Sequence, residues 1–277
     1  MSGAPPRAGG HLDGHGERLT GRTALVTGSG STGGFLGTGA ATALLFAAQG
    51  ATVGILDADP ARAEHTRVLV EKDGGRALAL TADLADEDAV QEAVDQLAER
   101  AGRLDVVVNN AGISGDDGTR AGWDRVFAVN VTGAMLVARA AHPHLVRAGG
   151  GSVVNVSSVA ALRGFGSGAY GASKGALHSL TVDLAYAWGP DGIRVNCLVP
   201  GHLHTPMGDR GGAEGRELRR RANLLGVEGT AWDLAWAALF LAGPESRWIT
   251  GAVLPVDAGT TTATVLGMLP RVTGGQK

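Results

Sequence analysis

Short runs of β-branched and apolar residues alternate along the chain with longer stretches in which apolar residues recur at helical spacing. Runs that are apolar on both faces are typical of strands in a parallel sheet covered by helices on both sides. We predict strands at Thr23–Thr27, Ala51–Leu56, Asp105–Val108, Ser152–Val156, Arg194–Leu198 and Val253–Val256. We predict helices at Ala40–Gln49, Pro60–Lys72, Glu87–Arg100, Trp123–Arg147, Ala172–Trp188 and Ala231–Leu241.

Regular alternation of strand and helix with right-handed crossovers predicts an α/β fold, a doubly wound parallel sheet of the Rossmann type. We assign residues 21–262 to this single catalytic domain. Residues 1–20 have no apolar segment and are predicted to be a disordered N-terminal tail, and residues 263–277 a C-terminal tail. His202–Thr230 is the longest segment in which apolar residues do not recur at a clear strand or helix spacing. A long loop of this kind is usually functional or mobile.

Composition narrows the class of protein. Acidic residues outnumber basic ones by 27 to 24, giving a net charge of −3, which argues against a nucleic-acid partner bound through clustered Lys and Arg. The single cysteine, Cys197, can form neither an internal disulfide nor a structural zinc site by itself. The stretch between Arg22 and Asp57 is uncharged but interrupted by glycines, so no membrane span is expected. These features favour a cytoplasmic protein.

A glycine-dense turn joins the first strand to the first helix, the position at which a helix N-terminus can hold a pyrophosphate. Two placements of the motif are open. Gly28, Gly30 and Gly33 match G-x-G-x-x-G, but 45 glycines in 277 residues make one such match weak. The second placement is Gly37-Thr38-Gly39, immediately before the helical pattern. We favour it because glycines destabilise a helix interior.

An acidic residue, Asp57, ends the second predicted strand. It lies 18 residues after Gly39 and 24 after Gly33, and the ribose-binding acid is expected about 20 residues on, so neither placement is excluded. A carboxylate here would accept hydrogen bonds from the adenosine ribose hydroxyls and repel a 2′-phosphate, which favours NAD over NADP. The alternative is a solvent-facing loop residue, although Asp59 already supplies the cap of the next helix before Pro60.

Tyr170 and Lys174 stand four residues apart at the start of a predicted helix, which places both side chains on one face. An ammonium group close to a phenol favours the phenolate, so we expect the pKa of Tyr170 to fall from its usual value near 10. Such a phenolate could take a proton from an alcohol near neutral pH. Taken alone, such a pair is more often a solvated lysine beside a surface tyrosine.

Several ordered motifs accompany this pair over nearly all of residues 20–260. They are Asn109-Asn110-Ala111-Gly112, Val129-Asn130-Val131, Ser157-Ser158, Tyr170-x-x-x-Lys174, Pro200-Gly201 and Gly251-Ala-Val-Leu-Pro-Val-Asp257-Ala-Gly259. In this combination the chain resembles the short-chain dehydrogenase/reductase family. The resemblance implies hydride transfer between a nicotinamide cofactor and a secondary alcohol or ketone.

The resemblance also implies roles for matching positions. Tyr170 would be the acid/base, Lys174 would lower its pKa and hold the nicotinamide ribose, Ser158 would hydrogen-bond the reacting oxygen, and Asn130 would hold a water in a proton relay. The expected cofactor-binding residues are Gly28, Ser29, Gly37, Thr38, Gly39, Asp57, Asp83, Leu84, Asn110, Ala111, Gly112, Tyr170, Lys174, Pro200, Gly201, Leu203 and Thr205.

Two departures from the family pattern bear on these assignments. Eight residues separate Gly28 from Gly37, where the family has three, so five residues are inserted in the phosphate-binding turn. The spacing between Ser158 and Tyr170 is 12, where 13 is common. Ser157 would restore that spacing, but Ser158 matches the motif by its position after the strand.

We therefore expect an NAD-dependent short-chain alcohol dehydrogenase or ketoreductase with a small-molecule alcohol or ketone substrate, assembled as a homotetramer or dimer. The alternatives are an oxidoreductase of the same family acting on a cis-diol or an unsaturated substrate, and a non-catalytic NAD-sensing scaffold. The complete set of Asn130, Ser158, Tyr170 and Lys174 argues against the scaffold.

Other candidate residues have weaker patterns. Neither His142 with His144 nor His202 with His204 has a carboxylate or Cys nearby at ligand spacing, so no metal site is expected. His202 and His204 are candidates for the border of the substrate pocket, and Leu162, Phe165 and Met207 for its apolar lining. The arginines of 216–221 favour a solvated helix face over a clamp for an acidic substrate.

Overall fold

The computed structural model describes residues 16–34, 36–115, 118–208 and 211–273, so residues 1–15 of the N-terminal tail predicted for residues 1–20 lie outside these ranges. The main sheet contains β1 (Thr23–Thr27), β2 (Thr52–Asp57), β3 (Arg76–Thr81), β4 (Val106–Asn109), β5 (Gly151–Val156), β6 (Ile193–Pro200) and β9 (Val253–Val256). These seven strands are parallel, in the order β3-β2-β1-β4-β5-β6-β9. Two short strands, β7 (Leu203–His204) and β8 (Gly229–Thr230), pair separately.

The helices are α1 (Thr38–Ala48), α2 (Pro60–Lys72), α3 (Glu87–Ala101), α4 (Arg120–Phe127), α5 (Ala134–Arg147), α6 (Gly168–Trp188), α7 (Gly212–Arg221), α8 (Ala231–Ala242) and α9 (Val265–Thr273). Buried residues of α1, α2 and α8 pack on one face of the sheet, and those of α3, α5 and α6 on the other. This is the predicted doubly wound α/β fold in a single domain. Among the described helices, none has the length and apolarity that crossing a bilayer requires.

The predicted strands and helices are present, except that the helix predicted at Trp123–Arg147 is divided into α4, a π-helical segment and α5, and three further elements differ. The sequence pattern missed β3, because Arg76–Thr81 lies at the sheet edge, has polar ends and contains no Val or Ile. The segment predicted as a loop, His202–Thr230, contains α7, in which no residue is buried and which therefore has no apolar period to detect. Within the predicted C-terminal tail, residues 265–273 form α9.

The order of the strands in the main sheet determines where a ligand is expected to bind. The chain moves outward from β1 to β3 and then returns to β4 on the other side of β1, so the carboxyl ends of β1 and β4 border a crevice. In open α/β sheets ligands bind at this switch point. Gly28 follows β1 and Asn110 follows β4, which brings the predicted glycine turn and the Asn-Ala-Gly motif to the same crevice.

At the amino ends of the strands, opposite the crevice, a buried carboxylate joins β1 to β4. Asp105 accepts hydrogen bonds from the Thr23 backbone N–H (2.9 Å), Arg22 Nη1 (2.7 Å) and Arg103 Nε (2.8 Å), and it is 1% exposed. Burial acts to raise the pKa of Asp105, but the hydrogen bonds from Arg103, Thr23 and Arg22 outweigh it and lower that pKa. The ionised form therefore stabilises the fold above the unfolded pKa of about 3.9, and this stabilisation is lost as pH falls through the folded value.

Replacing Asp105 by Ala is expected to lower the free energy of unfolding by about 3 kcal/mol, since it leaves a strand N–H and two arginines without their acceptor. Urea titration at neutral pH measures this loss. Asp124→Ala is the control, because Asp124 forms an exposed ion pair with Arg120 on α4 and should cost less than about 1 kcal/mol. Equal losses in the two variants would contradict a structural role for the buried carboxylate.

Candidate active site

A cleft of about 1320 Å³ opens along the carboxyl edge of the sheet. It exceeds the roughly 300–1000 Å³ typical of one small ligand, so a dinucleotide and a substrate fit together. The predicted residues that line it are Gly28, Gly37, Thr38, Gly39, Asp57, Asp83, Leu84, Asn110, Ala111, Gly112, Ser158, Tyr170, Lys174, Pro200, Gly201, Leu203 and Thr205. Two predicted residues, Ser29 and Asn130, do not line the cleft.

The glycine turn begins α1 at Thr38, with Gly37 as its N-cap, which confirms the second placement of the glycine motif. A side chain at residue 39 would collide with the Gly28 carbonyl and the Asn110 amide, so only glycine fits there. Thr38 Oγ1 donates to Asn110 Oδ1 (2.7 Å) and fixes the helix start to the end of β4. Gly37, Thr38 and Gly39 line the cleft, and among the described residues no side chain caps this helix N-terminus. Its first backbone N–H groups are therefore available to an anionic phosphate.

The inserted residues fold against the end of β2 and against α2. The Gly30 N–H donates to Asp57 Oδ2 (3.0 Å) and the Asp59 N–H donates to Asp57 Oδ1 (3.1 Å), so both carboxylate oxygens are oriented by the backbone. Ser31 Oγ contacts His65 Nδ1 (2.8 Å) and Thr66 Oγ1 (3.0 Å) on α2 and anchors the insertion.

Ser29 was expected to bind the cofactor, but its side chain turns away from the cleft. Ser29 is fully buried, and its Oγ donates to the Val26 carbonyl (2.7 Å). Its hydroxyl therefore stabilises the turn after β1.

Tyr170 and Lys174 lie together in the first turns of α6. Lys174 Nζ lies 5.9 Å from the centroid of the Tyr170 ring and donates to the Val156 carbonyl at the end of β5 (2.8 Å). A Cβ at Gly112 would come within 2.9 Å of Nζ, so glycine leaves room for the lysine beneath the cleft.

The spacing ambiguity between Ser157 and Ser158 is resolved by their contacts. Ser157 is buried, and its Oγ donates to the Lys174 carbonyl (2.7 Å) and contacts His178 Nε2 (2.9 Å). Ser158 begins the short 3₁₀ turn Val159–Ala161, lines the cleft and hydrogen-bonds Tyr170. Ser158 is thus the serine beside the phenol.

The expected fall in the pKa of Tyr170 is wrong for this structure. Burial raises that pKa, and the hydrogen bond with Ser158 opposes the rise only in part. The physical reason is burial, because the phenolate would lose more hydration than the Ser158 hydrogen bond replaces, and the spacing of two residues in the sequence does not report burial. Burial of Lys174, which is 3% exposed, lowers its pKa to about 8, against an opposing effect of Cys197.

Asn130 lies in a π-helical segment, Ala128–Gly133, that interrupts the helix predicted over 123–147. Such bulges are frequent at functional sites. Its Oδ1 accepts from the Ile113 N–H (2.8 Å), and its Nδ2 donates to the Ile113 carbonyl (2.9 Å) and to Ser173 Oγ (3.0 Å). The Asn130 side chain therefore links the loop after β4 to Ser173 on α6, the residue that precedes Lys174.

The cleft lining also includes Phe165, His202, Met207 and Arg219. The rings of Phe165 and His202 meet edge to face, with centroids 5.1 Å apart. Leu162 instead packs against the small core cluster of Val159, Cys197 and Val199. In the part of the chain that is described, no cluster of His, Cys, Asp or Glu could hold a metal ion.

Comparison with known proteins identifies the family. Residues 34–261 match a family model described as enoyl-(acyl carrier protein) reductase. The chain is 39% identical over 264 residues to (+)-borneol dehydrogenase 2 of Salvia officinalis, an alignment covering 88% of this chain and 90% of that protein. The chain belongs to the short-chain dehydrogenase/reductase family.

Two further proteins match over most of their length. Cis-4-hydroxycyclohexanecarboxylate dehydrogenase of Sinomonas cyclohexanicum is 36% identical over 252 residues, covering 89% of this chain and 99% of that protein. The crystal structure of levodione reductase superposes with a TM-score of 0.83 at 32% identity, covering 89% of this chain and 100% of the other. The chain is thus an oxidoreductase similar to enzymes named for alcohols and ketones.

Several residues that line the cleft of this short-chain dehydrogenase/reductase are not among the cofactor-binding residues expected from the sequence, and Gly30 belongs only to the first placement of the glycine motif. Gly30, which donates to Asp57, lines the cleft together with Ser31 and Arg62, and Arg219 lines it from α7. The serine and glycine belong to the insertion, for which the family pattern has no counterpart. In the sequence Arg219 is one of four arginines in a short segment, and nothing in its neighbours distinguishes it from the other three.

Proposed function

We propose that the chain is an NAD-dependent oxidoreductase that transfers a hydride between nicotinamide and a secondary alcohol or ketone, with Tyr170 as the acid/base. The observation that carries this proposal is the convergence of Tyr170, Ser158 and Lys174 in one cleft, next to the N-terminus of α1. The family membership and the alcohol and ketone names of the relatives support it.

The chemistry follows from these side chains. In the oxidative direction, the Tyr170 phenolate takes the hydroxyl proton of the substrate as the carbon–hydrogen bond breaks. Ser158 donates a hydrogen bond to the reacting oxygen and holds it beside the phenol. The charge on Lys174 stabilises the phenolate. When bound, the nicotinamide supplies the hydride acceptor or donor.

The choice of NAD over NADP rests on Asp57. Its carboxylate lines the cleft beyond the glycine turn, with both oxygens held by the Gly30 and Asp59 N–H groups. A fixed negative charge there can accept ribose hydroxyls and repels a 2′-phosphate. Arg62 lines the same end and is exposed, so it supplies the opposing charge if the carboxylate is removed.

Replacing Asp57 by Ala is expected to shift the ratio of kcat/KM for NADPH to that for NADH by about 30-fold toward NADPH, about 2 kcal/mol. The repulsion disappears, and the Arg62 guanidinium remains to meet a 2′-phosphate. Asp57→Ala/Arg62→Gln is the matched control and should lose most of this gain. Tighter binding of NADPH than of NADH by the unaltered protein would contradict the role of Asp57.

The direct assay is consumption of NADH over a panel of ketones. Since two relatives are named for borneol and for a hydroxycyclohexanecarboxylate, cyclohexanones belong at the head of that panel. Saturable NADH oxidation by at least one ketone is the expected result. A protein that binds NADH tightly but oxidises none in the presence of any ketone would be the non-catalytic sensor instead.

We also propose that the chain forms a homo-oligomer, a tetramer or dimer. Support comes from large apolar side chains exposed on the outer helices, with Trp123 on α4 at 42%, Val182 on α6 at 55% and Tyr186 on α6 at 88%. Light scattering that returns the mass of one chain would contradict it. A cytoplasmic location belongs to the same proposal, because a single cysteine gives no disulfide framework.

A further inference from the structure

The carboxylate of Asp57 is held from two sides, by one local and one distant backbone group. Asp59, the N-cap residue of α2, donates its N–H to Asp57 Oδ1 at 3.1 Å. Gly30, which lies 27 residues before Asp57 in the insertion, donates its N–H to Oδ2 at 3.0 Å. The first bond is fixed by the turn that leads into α2. The second exists only while the insertion keeps its place beside β2.

Ser31, the residue after Gly30, attaches the insertion to α2. Its N–H donates to the Arg62 carbonyl at 3.1 Å, and its Oγ contacts His65 Nδ1 at 2.8 Å and Thr66 Oγ1 at 3.0 Å. Ser31 is 6% exposed and Thr66 is fully buried, so water competes little for these bonds. The position of the insertion is therefore set by the first two turns of α2.

The backbone of Gly30 passes between Asp57 and α2 without space for a side chain. A Cβ at residue 30 would lie 2.7 Å from Asp57 Oδ2 and 2.7 Å from the Cβ of Arg62. Non-bonded carbon atoms pack about 3.5–4.0 Å apart, so only glycine allows this approach. The contact between Gly30 and Asp57 thus depends on an insertion that stays seated closely against α2.

We propose that Ser31 is a positioning residue that determines cofactor choice. By attaching the insertion to α2, it keeps the Gly30 N–H on Asp57 and holds the carboxylate in the orientation that accepts ribose hydroxyls and repels a 2′-phosphate. An acceptor that is already oriented loses less conformational freedom when the cofactor binds. His65 and Thr66 share this role, although neither is among the described residues that line the cleft. This inference rests on the proposed role of Asp57 in selecting NAD.

Binding of NADH and of NADPH to the full-length protein, followed by fluorescence titration, tests this role without turnover. In Ser31→Ala the dissociation constant for NADH should rise about fivefold, while that for NADPH should change less than about twofold, because a released carboxylate can turn away from the 2′-phosphate. In the Asp57→Ala background, Ser31→Ala should change either constant by less than about 1.5-fold. A general loosening of the phosphate-binding turn would instead weaken both cofactors in both backgrounds.

The partners of Ser31 on α2 provide a variant that leaves the cleft lining unaltered. His65→Leu/Thr66→Val removes both side-chain groups that contact Ser31 Oγ, so it should reproduce the rise in the NADH dissociation constant. If this folded double variant binds NADH normally while Ser31→Ala does not, the Ser31 hydroxyl contacts the cofactor directly and the proposal is wrong. Ser179→Ala, at an exposed position of α6, is the control and should leave both constants unchanged.

The outcomes separate this inference from the proposed function. If Asp57→Ala weakens NADH binding and Ser31→Ala does not, the positioning role is overturned and the selection of NAD by Asp57 stands. Equal weakening of NADH and NADPH in Ser31→Ala, or the same loss in the Asp57→Ala background, would also overturn it. These comparisons decide the inference even if the double variant on α2 does not fold. If Asp57→Ala leaves both constants unchanged, the proposed basis of NAD selection is wrong, and the inference with it.

Discussion

The Tyr170→Phe variant is expected to reduce ketones about 10³-fold more slowly than the unaltered enzyme, through kcat. General acid–base catalysis contributes about 10²–10⁴-fold, and the phenylalanine ring has no proton to give to the developing alkoxide. The loss should appear in both reaction directions, because the same group takes the proton in oxidation. Steady-state rates with NADH and a ketone, and with NAD and the corresponding alcohol, measure it.

A second tyrosine on the same helix supplies the control. Tyr186 is 88% exposed on α6, so Tyr186→Phe tests the loss of a phenol from this helix without touching the cleft. Its rates should match the unaltered enzyme within about twofold. Fluorescence titration with NADH should give similar dissociation constants for both variants. If Tyr170→Phe keeps full turnover, the assigned acid/base is wrong.

The Lys174→Met variant is expected to lose about 10²-fold or more in kcat. Methionine keeps the length and apolar stem of the buried side chain but removes the charge near the Tyr170 ring and the bond to the Val156 carbonyl. Removing one preorganised electrostatic group costs about 10²–10³-fold in well-studied enzymes. Lys72→Met, at the exposed end of α2, is the control and should leave the rate unchanged.

The pH dependence gives a second readout for the lysine. Burial lowers the pKa of Lys174 to about 8, so its charge is present below that pH and lost above it. The charge stabilises the phenolate formed when Tyr170 donates its proton, so ketone reduction should decline above about pH 8. In Lys174→Met this decline should disappear from that range. A decline near pH 8 that persists in the variant would assign it to another group.

The glycine turn and the parallel core were accessible from the sequence. Val-rich runs such as Val106–Asn109 are buried on both faces, and a helix cannot begin before Gly37 without placing glycines in its interior. The edge strand Arg76–Thr81 was not accessible, because it borders β2 alone among the described strands and its residues lack a strong β pattern.

Site electrostatics could not be predicted from spacing alone. The i, i+4 spacing correctly brings Tyr170 and Lys174 together, but the direction of the Tyr170 pKa shift depends on burial, which is a tertiary property. In the same way, nothing local distinguishes Arg219 from Arg220. One lines the cleft and the other binds Glu217, and that difference exists only once α7 is packed.

Deuterium tracing follows the proposed hydride transfer itself. NADH labelled with deuterium on the transferring face of C4 is incubated with a ketone that the enzyme reduces, and the product alcohol is analysed by NMR. We expect deuterium at the carbinol carbon, in a product formed about 10³-fold more slowly by Tyr170→Phe. Product without the label, or labelled product formed at the same rate by both proteins, would contradict the proposed mechanism.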